Sequence, residues 1–204
     1  MEKEEAEKAP AHSEEGEDSD DENFVVSGKV GVKELHDKDA DDESLRIYKE
    51  KLLGSTGDAV VVLPDDSRSV VFDDMEFVFA GRPSVKFSLR TPEDLKKLEE
   101  STVVLKEGCV YHVILRFWVQ REIVSGLKYK GSVKKKGFCV RTDKAMIGSF
   151  APTKDLIEYK FEETTAPTGF LHRGTVKVQG LYTDDDKSEY LKVNYSVQVK
   201  KDWE

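Results

Sequence analysis

The sequence predicts an all-β protein, an antiparallel β-sandwich preceded by a flexible, partly helical N-terminal arm. Apolar and polar residues alternate over many short stretches, and turn signals separate these stretches. Only one short helix is indicated among them, and no regular alternation of strands with helices supports a parallel sheet. Many short strands in this arrangement are typical of the immunoglobulin-like sandwich.

Charge divides the chain into regions. Residues 1–22 contain eleven carboxylates and two lysines, a net charge of −9, which equals the net charge of the whole chain. Residues 23–204 are therefore electroneutral. A segment so acidic and so poor in apolar residues cannot bury enough surface to fold. We predict an acidic disordered tail at 1–22, a regulatory arm with short helices at 23–65, and a sandwich at 66–204.

The best helix of the arm is predicted at 42–53. Asp42 and its acidic neighbours suit the positive end of a helix dipole, and Gly54 provides a left-handed stop. Leu45, Tyr48 and Leu52 recur at i, i+3 and i+7, which places them on one face. A helix this short is marginal in water by itself. It therefore needs a surface to lie on, in this chain or in a partner.

Within the sandwich the period-two pattern is clearest where Leu191 to Val199 alternate with polar residues. Thr91 followed by Pro92 and two acidic residues predicts one short capped helix. Strands are predicted near 59–63, 70–79, 85–89, 111–119, 123–130, 133–141, 157–162, 175–182 and 191–199.

The residues support a binding protein rather than an enzyme. Histidines are scattered, no nucleotide-binding or acyl-transfer motif occurs, and the Asp184–Asp186 run lacks the glycine and glutamate of a calcium loop, so we expect no cofactor and no metal. A neutral body argues against nucleic acid. Lys134–Lys136 is interpreted as a solvated hairpin, with contact to anionic lipid as the alternative.

Two separated cysteines and no signal peptide favour a reduced, cytoplasmic protein.

The chain contains four sequence blocks, Asp41–Gly54, Val104–Gly108, Arg121–Tyr129, and Thr183–Lys187 with Lys200–Trp203. In this order they resemble the blocks of the Rho GDP-dissociation inhibitor family. Weaker support comes from 148–150 and 166–174, and Val193-Asn194-Tyr195 replaces the family's Trp-x-Trp.

The resemblance implies an inhibitor of GDP release that binds a prenylated Rho/Rac/Cdc42-type small GTPase in its GDP form, as a monomer in a 1:1 complex. It implies that the sandwich shelters the partner's geranylgeranyl or farnesyl group during transient contact with the membrane surface. The GTPase contacts it implies are Asp42, Ser44, Leu45, Tyr48, Leu52, Asp185 and Asp186. The prenyl contacts it implies are Phe77, Val103, Phe117, Leu171, Val178 and Tyr195.

Two other functions stay open from the residues. One is a general prenyl- or acyl-binding sandwich that carries lipidated proteins without inhibiting a GTPase. The other is an adhesion-type structural module, which the missing signal peptide and disulfide disfavour. The apolar positions above are also compatible with an ordinary sandwich core.

Overall fold

The computed structural model describes residues 60–203, which form two packed five-stranded sheets and one short helix. The predictions for the acidic tail, the 42–53 helix and the arm contacts lie outside these residues. The elements are β1 (Val70–Phe79), β2 (Arg82–Ser88), α1 (Pro92–Glu100), β3 (Thr102–Lys106), β4 (Val110–Val119), β5 (Val124–Lys135), β6 (Phe138–Phe150), β7 (Ile157–Lys160), β8 (Thr164–Thr165), a 3-10 helix (Phe170–His172), β9 (Gly174–Thr183) and β10 (Glu189–Lys200).

The first sheet has the strand order β2-β1-β4-β7, and β8 also pairs with β4. The second has the order β3-β10-β9-β5-β6. Among these strands the pairing is antiparallel except between β3 and β10, which run parallel. The all-β sandwich predicted from the period-two pattern is confirmed.

The core lies between the two sheets. Phe72, Phe77 and Phe117 of the first sheet and Tyr182 and Val193 of the second are at most 2% exposed. The polar residues that alternate with them lie on the outer faces. There Arg116 donates to Asp74, Glu76 and Glu158, with each distance 2.8 Å. The alternation therefore corresponds to a dry inner face and an ion-paired outer face.

The predicted capped helix is confirmed as α1. Thr91 is its N-cap and accepts a hydrogen bond from the Asp94 backbone N–H at 3.2 Å, while Pro92 occupies the first turn. Leu98 is 1% exposed, so the helix covers the core with its apolar side. The chain then enters β3 directly, at the edge of the second sheet.

Two strand predictions were wrong in detail. Residues 60–63 form no strand, because the backbone amides of Val62 and Leu63 bond to a side chain instead of a neighbouring strand. The strands predicted near 123–130 and 133–141 have other bounds, since the turn between β5 and β6 lies at Lys136 and Gly137, both of which have positive φ. β5 continues through Gly131 because Gly131 pairs with Gly180 of β9.

Candidate functional site

The acidic run between β9 and β10 is a tightly bonded turn. The Asp184 carboxylate is buried and accepts hydrogen bonds from the Ser188 backbone N–H at 2.8 Å and the Tyr190 hydroxyl at 2.6 Å. The Lys187 amide closes the turn by donating to the Asp184 carbonyl at 3.2 Å. Asp184 therefore shapes the loop and is not presented to a partner.

Asp185 is the member of the run that faces solvent. Its amide donates to the Ser125 carbonyl at 3.1 Å, and its side chain, 42% exposed, lies 3.2 Å from the Lys128 ammonium. The carboxylate covers Gly126, where φ is +62° and an added Cβ would lie 2.0 Å from the carboxylate. Asp186 beside it is half-buried. The loop thus holds one carboxylate in a fixed, accessible position.

Residues 62–68 are attached to the sandwich by Gln120, whose exposure is 0%. Its side-chain oxygen accepts from the amides of Val62 and Leu63 at 3.1 and 3.0 Å. Its side-chain nitrogen donates to the carbonyls of Asp66 and Arg68 at 2.8 and 2.9 Å. One buried amide therefore fixes residues 62–68, which we call the arm root, because buried polar groups are costly when unbonded.

Arg121 extends this attachment from a left-handed backbone conformation, with φ of 69°. Its amide donates to the Val60 carbonyl at 2.9 Å, and its guanidinium donates to the carbonyls of Pro64 and Asp66. Four residues later Ser125 bonds to Asp185. The arm root and the exposed carboxylate are therefore held by one stretch of chain, 120–125, at the same end of the sandwich, which we call the acidic-loop end.

Aromatic rings meet between the sheets further along the strands. Phe77 of β1 and Tyr195 of β10 contact each other across the interior with ring centroids 5.7 Å apart. Val178 lies beside Tyr195 on the paired strand β9 and is 8% exposed. Three of the predicted prenyl contacts, one from the first sheet and two from the second, are therefore brought together.

The other three predicted prenyl contacts lie apart from this group. Val103 is buried on β3, opposite Val197 of β10. Phe117 packs against Phe150 at 5.3 Å, about 13 Å along β4 from the position that pairs with Phe77. Leu171 lies at the surface on the 3-10 helix and is 82% exposed. The structure thus separates a central group from two interior positions and one surface position.

Sequence reasoning missed two aromatic residues that line the same interior. Tyr129 packs edge-on against Phe161 at 5.5 Å. Its side chain lies over the paired glycines Gly131 and Gly180, where an added Cβ would approach ring carbons of Tyr129 within 2.8 and 2.7 Å. The signal was present in the sequence, because a glycine within a strand pattern often marks a close approach. The two glycines form a recess in the second sheet that Tyr129 fills.

The interior phenols are strongly desolvated. Burial raises the pKa of Tyr129 to about 12 and raises the pKa values of Tyr182 and Tyr195 well above the usual value of a phenol. Burial also raises the pKa of Tyr111, which lies near Arg141 and Asp143. These rings are therefore neutral at physiological pH, and the space between the sheets suits an apolar ligand.

Within residues 60–203, no three His, Cys, Asp or Glu side chains are grouped to hold a metal ion. None of the helices found in that range has the length and apolar character needed to cross a bilayer. Both cysteines there, Cys109 and Cys139, are free.

Fold and site together define a class, a β-sandwich with an aromatic apolar interior and a fixed acidic loop beside the root of an N-terminal arm. The model of the family RHO protein GDP dissociation inhibitor matches residues 8–202. The chain therefore belongs to the Rho GDP-dissociation inhibitor family, whose members are regulators and not enzymes.

Relatives from distant eukaryotes agree. The chain is 39% identical over 183 residues to a Dictyostelium discoideum protein that carries the family name rho GDP-dissociation inhibitor 1, covering 88% of this chain and 91% of that one. It is 35% identical to human Rho GDP-dissociation inhibitor 1, covering 92% and 90%, and 34% identical to the Saccharomyces cerevisiae Rho GDP-dissociation inhibitor, covering 96% and 99%.

A solved structure of a Niemann-Pick type C2 protein from the Japanese carpenter ant covers 69% of this chain and 99% of its own. It has 12% identity and a TM-score of 0.41, values too low to support an inference.

Proposed function

We propose that this chain binds prenylated Rho-type GTPases in their GDP form, slows GDP release, and extracts them from membranes by sheltering the prenyl group. The complex is 1:1, and the chain works as a cytoplasmic carrier that touches membranes transiently. Family membership supports the partner class. The observation that carries the two-site mechanism is the joint attachment of the arm root and the Asp185 loop by residues 120–125.

This attachment supports a two-sided grip on the GTPase. The arm, through Asp42, Ser44, Leu45, Tyr48 and Leu52, contacts one side of the switch regions, and Asp185 and Asp186 contact the other. Because the arm leaves the sandwich beside the loop, binding at one site keeps the other at high effective concentration. A clamp on both sides restrains segments that must move for GDP to leave.

The aromatic interior supports the prenyl shelter. Each methylene transferred from water to an apolar environment contributes roughly 0.8 kcal/mol, so a farnesyl or geranylgeranyl chain has strong affinity for any dry apolar space. Phe77 and Tyr195 are in contact, so an entering chain has to separate these rings. Val178 lies beside Tyr195, and Val103 and Phe117 add buried apolar surface elsewhere between the sheets. Since the bilayer is equally apolar, extraction also needs the protein contacts.

The test is extraction of a prenylated Rho-type GTPase loaded with GDP from liposomes, with GDP release measured in parallel. We expect Asp42→Ala to weaken both activities by about tenfold, equivalent to about 1.4 kcal/mol of binding. Asp37→Ala is the matched control, an acidic residue upstream of the predicted helix, and should behave as the intact chain. Unchanged extraction and inhibition by Asp42→Ala would show that the arm contact is misplaced.

The second part of the test compares the prenylated GTPase with the unprenylated one. The intact chain should bind the prenylated GDP form much more tightly than the unprenylated form. Equal binding would exclude a prenyl shelter. Tight binding of prenylated peptide together with no effect on GDP release would instead favour a general lipid carrier.

A further inference from the structure

Large apolar side chains are exposed together at the end of the sandwich opposite the acidic loop. Phe170 and Leu171 of the 3-10 helix are 81% and 82% exposed, and Phe138 and Val140 at the start of β6 are 78% and 58% exposed. Single exposed apolar residues are ordinary, whereas exposed groups of them mark interaction sites.

A lysine joins the two segments that carry these side chains. The Lys135 ammonium donates to the Leu171 carbonyl at 2.8 Å and lies 3.4 Å from the Arg173 carbonyl. β5 and β9 are also paired there, with Lys134 opposite Lys177. The hairpin tip and the 3-10 helix therefore form one surface, which we call the basic apolar end and define by Lys134–Val140 and Phe170–His172.

This surface is basic although the body as a whole is neutral. Residues 132–142 and 164–181 contain no carboxylate, while the first segment has Lys134, Lys135, Lys136 and Arg141. Carboxylates in the surroundings are engaged with other cations: Glu107 with Arg173, Asp143 with Arg141, and Asp202 with Lys106. Glu162 and Glu163 precede β8 in the other sheet. Lys136 is exposed at the turn next to Phe138.

We propose that the basic apolar end docks on the surface of an anionic bilayer. Phe138, Phe170 and Leu171 enter the interfacial layer, and the lysines contact lipid phosphate and carboxylate groups. Protruding apolar side chains with lysines beside them are the composition that binds such interfaces. A protein partner would require a matching groove, whereas a bilayer accepts side chains that project from a hairpin turn.

The position of this surface deepens the proposed function, on which the following step rests. Val133, Val178 and Tyr195 form one rung across three strands, and Lys134 and Lys177 form the next rung toward the basic apolar end. Docking therefore brings the inner-face residues nearest this end close to the membrane. The acidic loop lies about 20 Å away, since Lys128 pairs with Thr183 six residues earlier along β5. A GTPase held there need not compete with the membrane for the same surface.

The test measures binding of the full chain, without any GTPase, to vesicles by co-sedimentation. Vesicles of phosphatidylcholine with 30% phosphatidylserine are compared with pure phosphatidylcholine. We expect preferential binding to the anionic vesicles that weakens as salt rises, because salt screens the lysines. Equal binding to both vesicles, or none to either, would overturn the proposal.

Variants locate the surface. Phe138→Ser with Phe170→Ser should reduce vesicle binding at least fivefold, and Lys134→Gln with Lys136→Gln about threefold. Met146→Ser, an exposed apolar residue further along β6, and Lys96→Gln on α1 are the matched controls and should bind as the intact chain does. Equal losses in variants and controls would refute the location.

A second measurement separates this inference from the proposed function. The Phe138/Phe170 variant should still slow GDP release from a prenylated GTPase in detergent solution, since the acidic loop is untouched. Failure of that activity in the intact chain would refute the proposed function, whereas loss of vesicle binding alone would not. Thermal unfolding of each variant confirms that these exposed substitutions leave the fold intact.

Discussion

The two ends of the sandwich differ in how firmly their side chains are held. At the acidic-loop end, Gln120 and Asp184 are buried and fully engaged in hydrogen bonds that fix the arm root and a loop. At the basic apolar end, Phe138 and Phe170 are left in solvent. A protein partner is met best by groups held in fixed positions, because ordering them on binding costs free energy. A fluid membrane surface does not require the side chains that bind it to be held in fixed positions.

The largest expected effect comes from removing the buried side-chain amide of Gln120 at the acidic-loop end. Gln120→Leu removes the partner of the Val62 and Leu63 amides and of the Arg68 carbonyl, while the Asp66 carbonyl keeps its bond from Arg121, so we expect the free energy of unfolding to fall by roughly 3 kcal/mol. Urea unfolding measures this fall. Gln179→Leu, at an exposed position of β9, is the control and should change little. A fall of similar size in both variants would mean that the network does not hold the arm root.

A second change acts on the interior between the two ends. Gly180→Ala places a Cβ 2.7 Å from the Tyr129 ring and 2.8 Å from Val193, so overpacking should cost about 2 kcal/mol. Adding Tyr129→Leu should recover part of this loss, since it removes the nearest obstacle, and a double-mutant cycle in urea measures the coupling. Strict additivity would show that the recess does not position Tyr129.

The exposed carboxylates of the two ends can be compared directly. Asp185 and Asp202 are both exposed and paired with a lysine, at 3.2 and 3.1 Å, but at opposite ends. We expect Asp185→Asn to weaken inhibition of GDP release by about tenfold, or about 1.4 kcal/mol, and Asp202→Asn to leave it unchanged. Both should alter the free energy of unfolding by less than about 1 kcal/mol. Equal effects on inhibition would mean that the GTPase does not distinguish the ends.

The smallest expected effect concerns pH at the arm root. A hydrogen bond from the Arg68 guanidinium lowers the pKa of Asp66 below its ordinary value of 3.8. A carboxyl whose pKa is lower in the folded state stabilises that state above the unfolded pKa and loses the contribution as pH falls through the folded pKa. Once the pH dependence of intrinsic amide exchange is corrected for, the hydrogen-exchange protection of residues 62–68 should thus be the same at pH 5 as at pH 7.

As pH falls below 4 and through the lowered folded pKa, the Asp66 contribution, a few tenths of a kcal/mol for this partly exposed pair, should be lost progressively. Asp66→Asn is the control and should remove the pH-dependent part. Persistence of that part in the variant would assign it to another carboxyl.

Patterns within single elements could be predicted from the sequence, and contacts between elements could not. The alternation in 191–199 and the Thr91 cap are local, so they predicted β10 and α1 correctly. The strand predicted near 123–130 ended before Gly131, because the partner that continues it, Gly180, is 49 positions away. Gln120 gave no signal, because its four backbone partners lie 52 to 58 residues earlier.

The candidate site divides in the same way. The resemblance named Phe77, Val178 and Tyr195, which the fold brings together, and also Leu171, which the fold leaves on the surface. An apolar residue in a sequence does not reveal whether it will be covered, since that depends on which strands lie over it. The same uncertainty applied to Lys134–Lys136, because one of their apolar neighbours, Leu171, comes from a segment more than 30 residues away.

The sequence by itself determined the alternating strands, the placement of all net charge in residues 1–22, and the family to which the chain belongs, because each is written in local composition and order. Only the tertiary structure decided that the arm root and Asp185 share one end, that Tyr129 fills a glycine recess, and that Phe138 and Phe170 both lie at the other end. Those relations arise from strand pairing and from hydrogen bonds between distant residues, which the free energy of the whole fold selects.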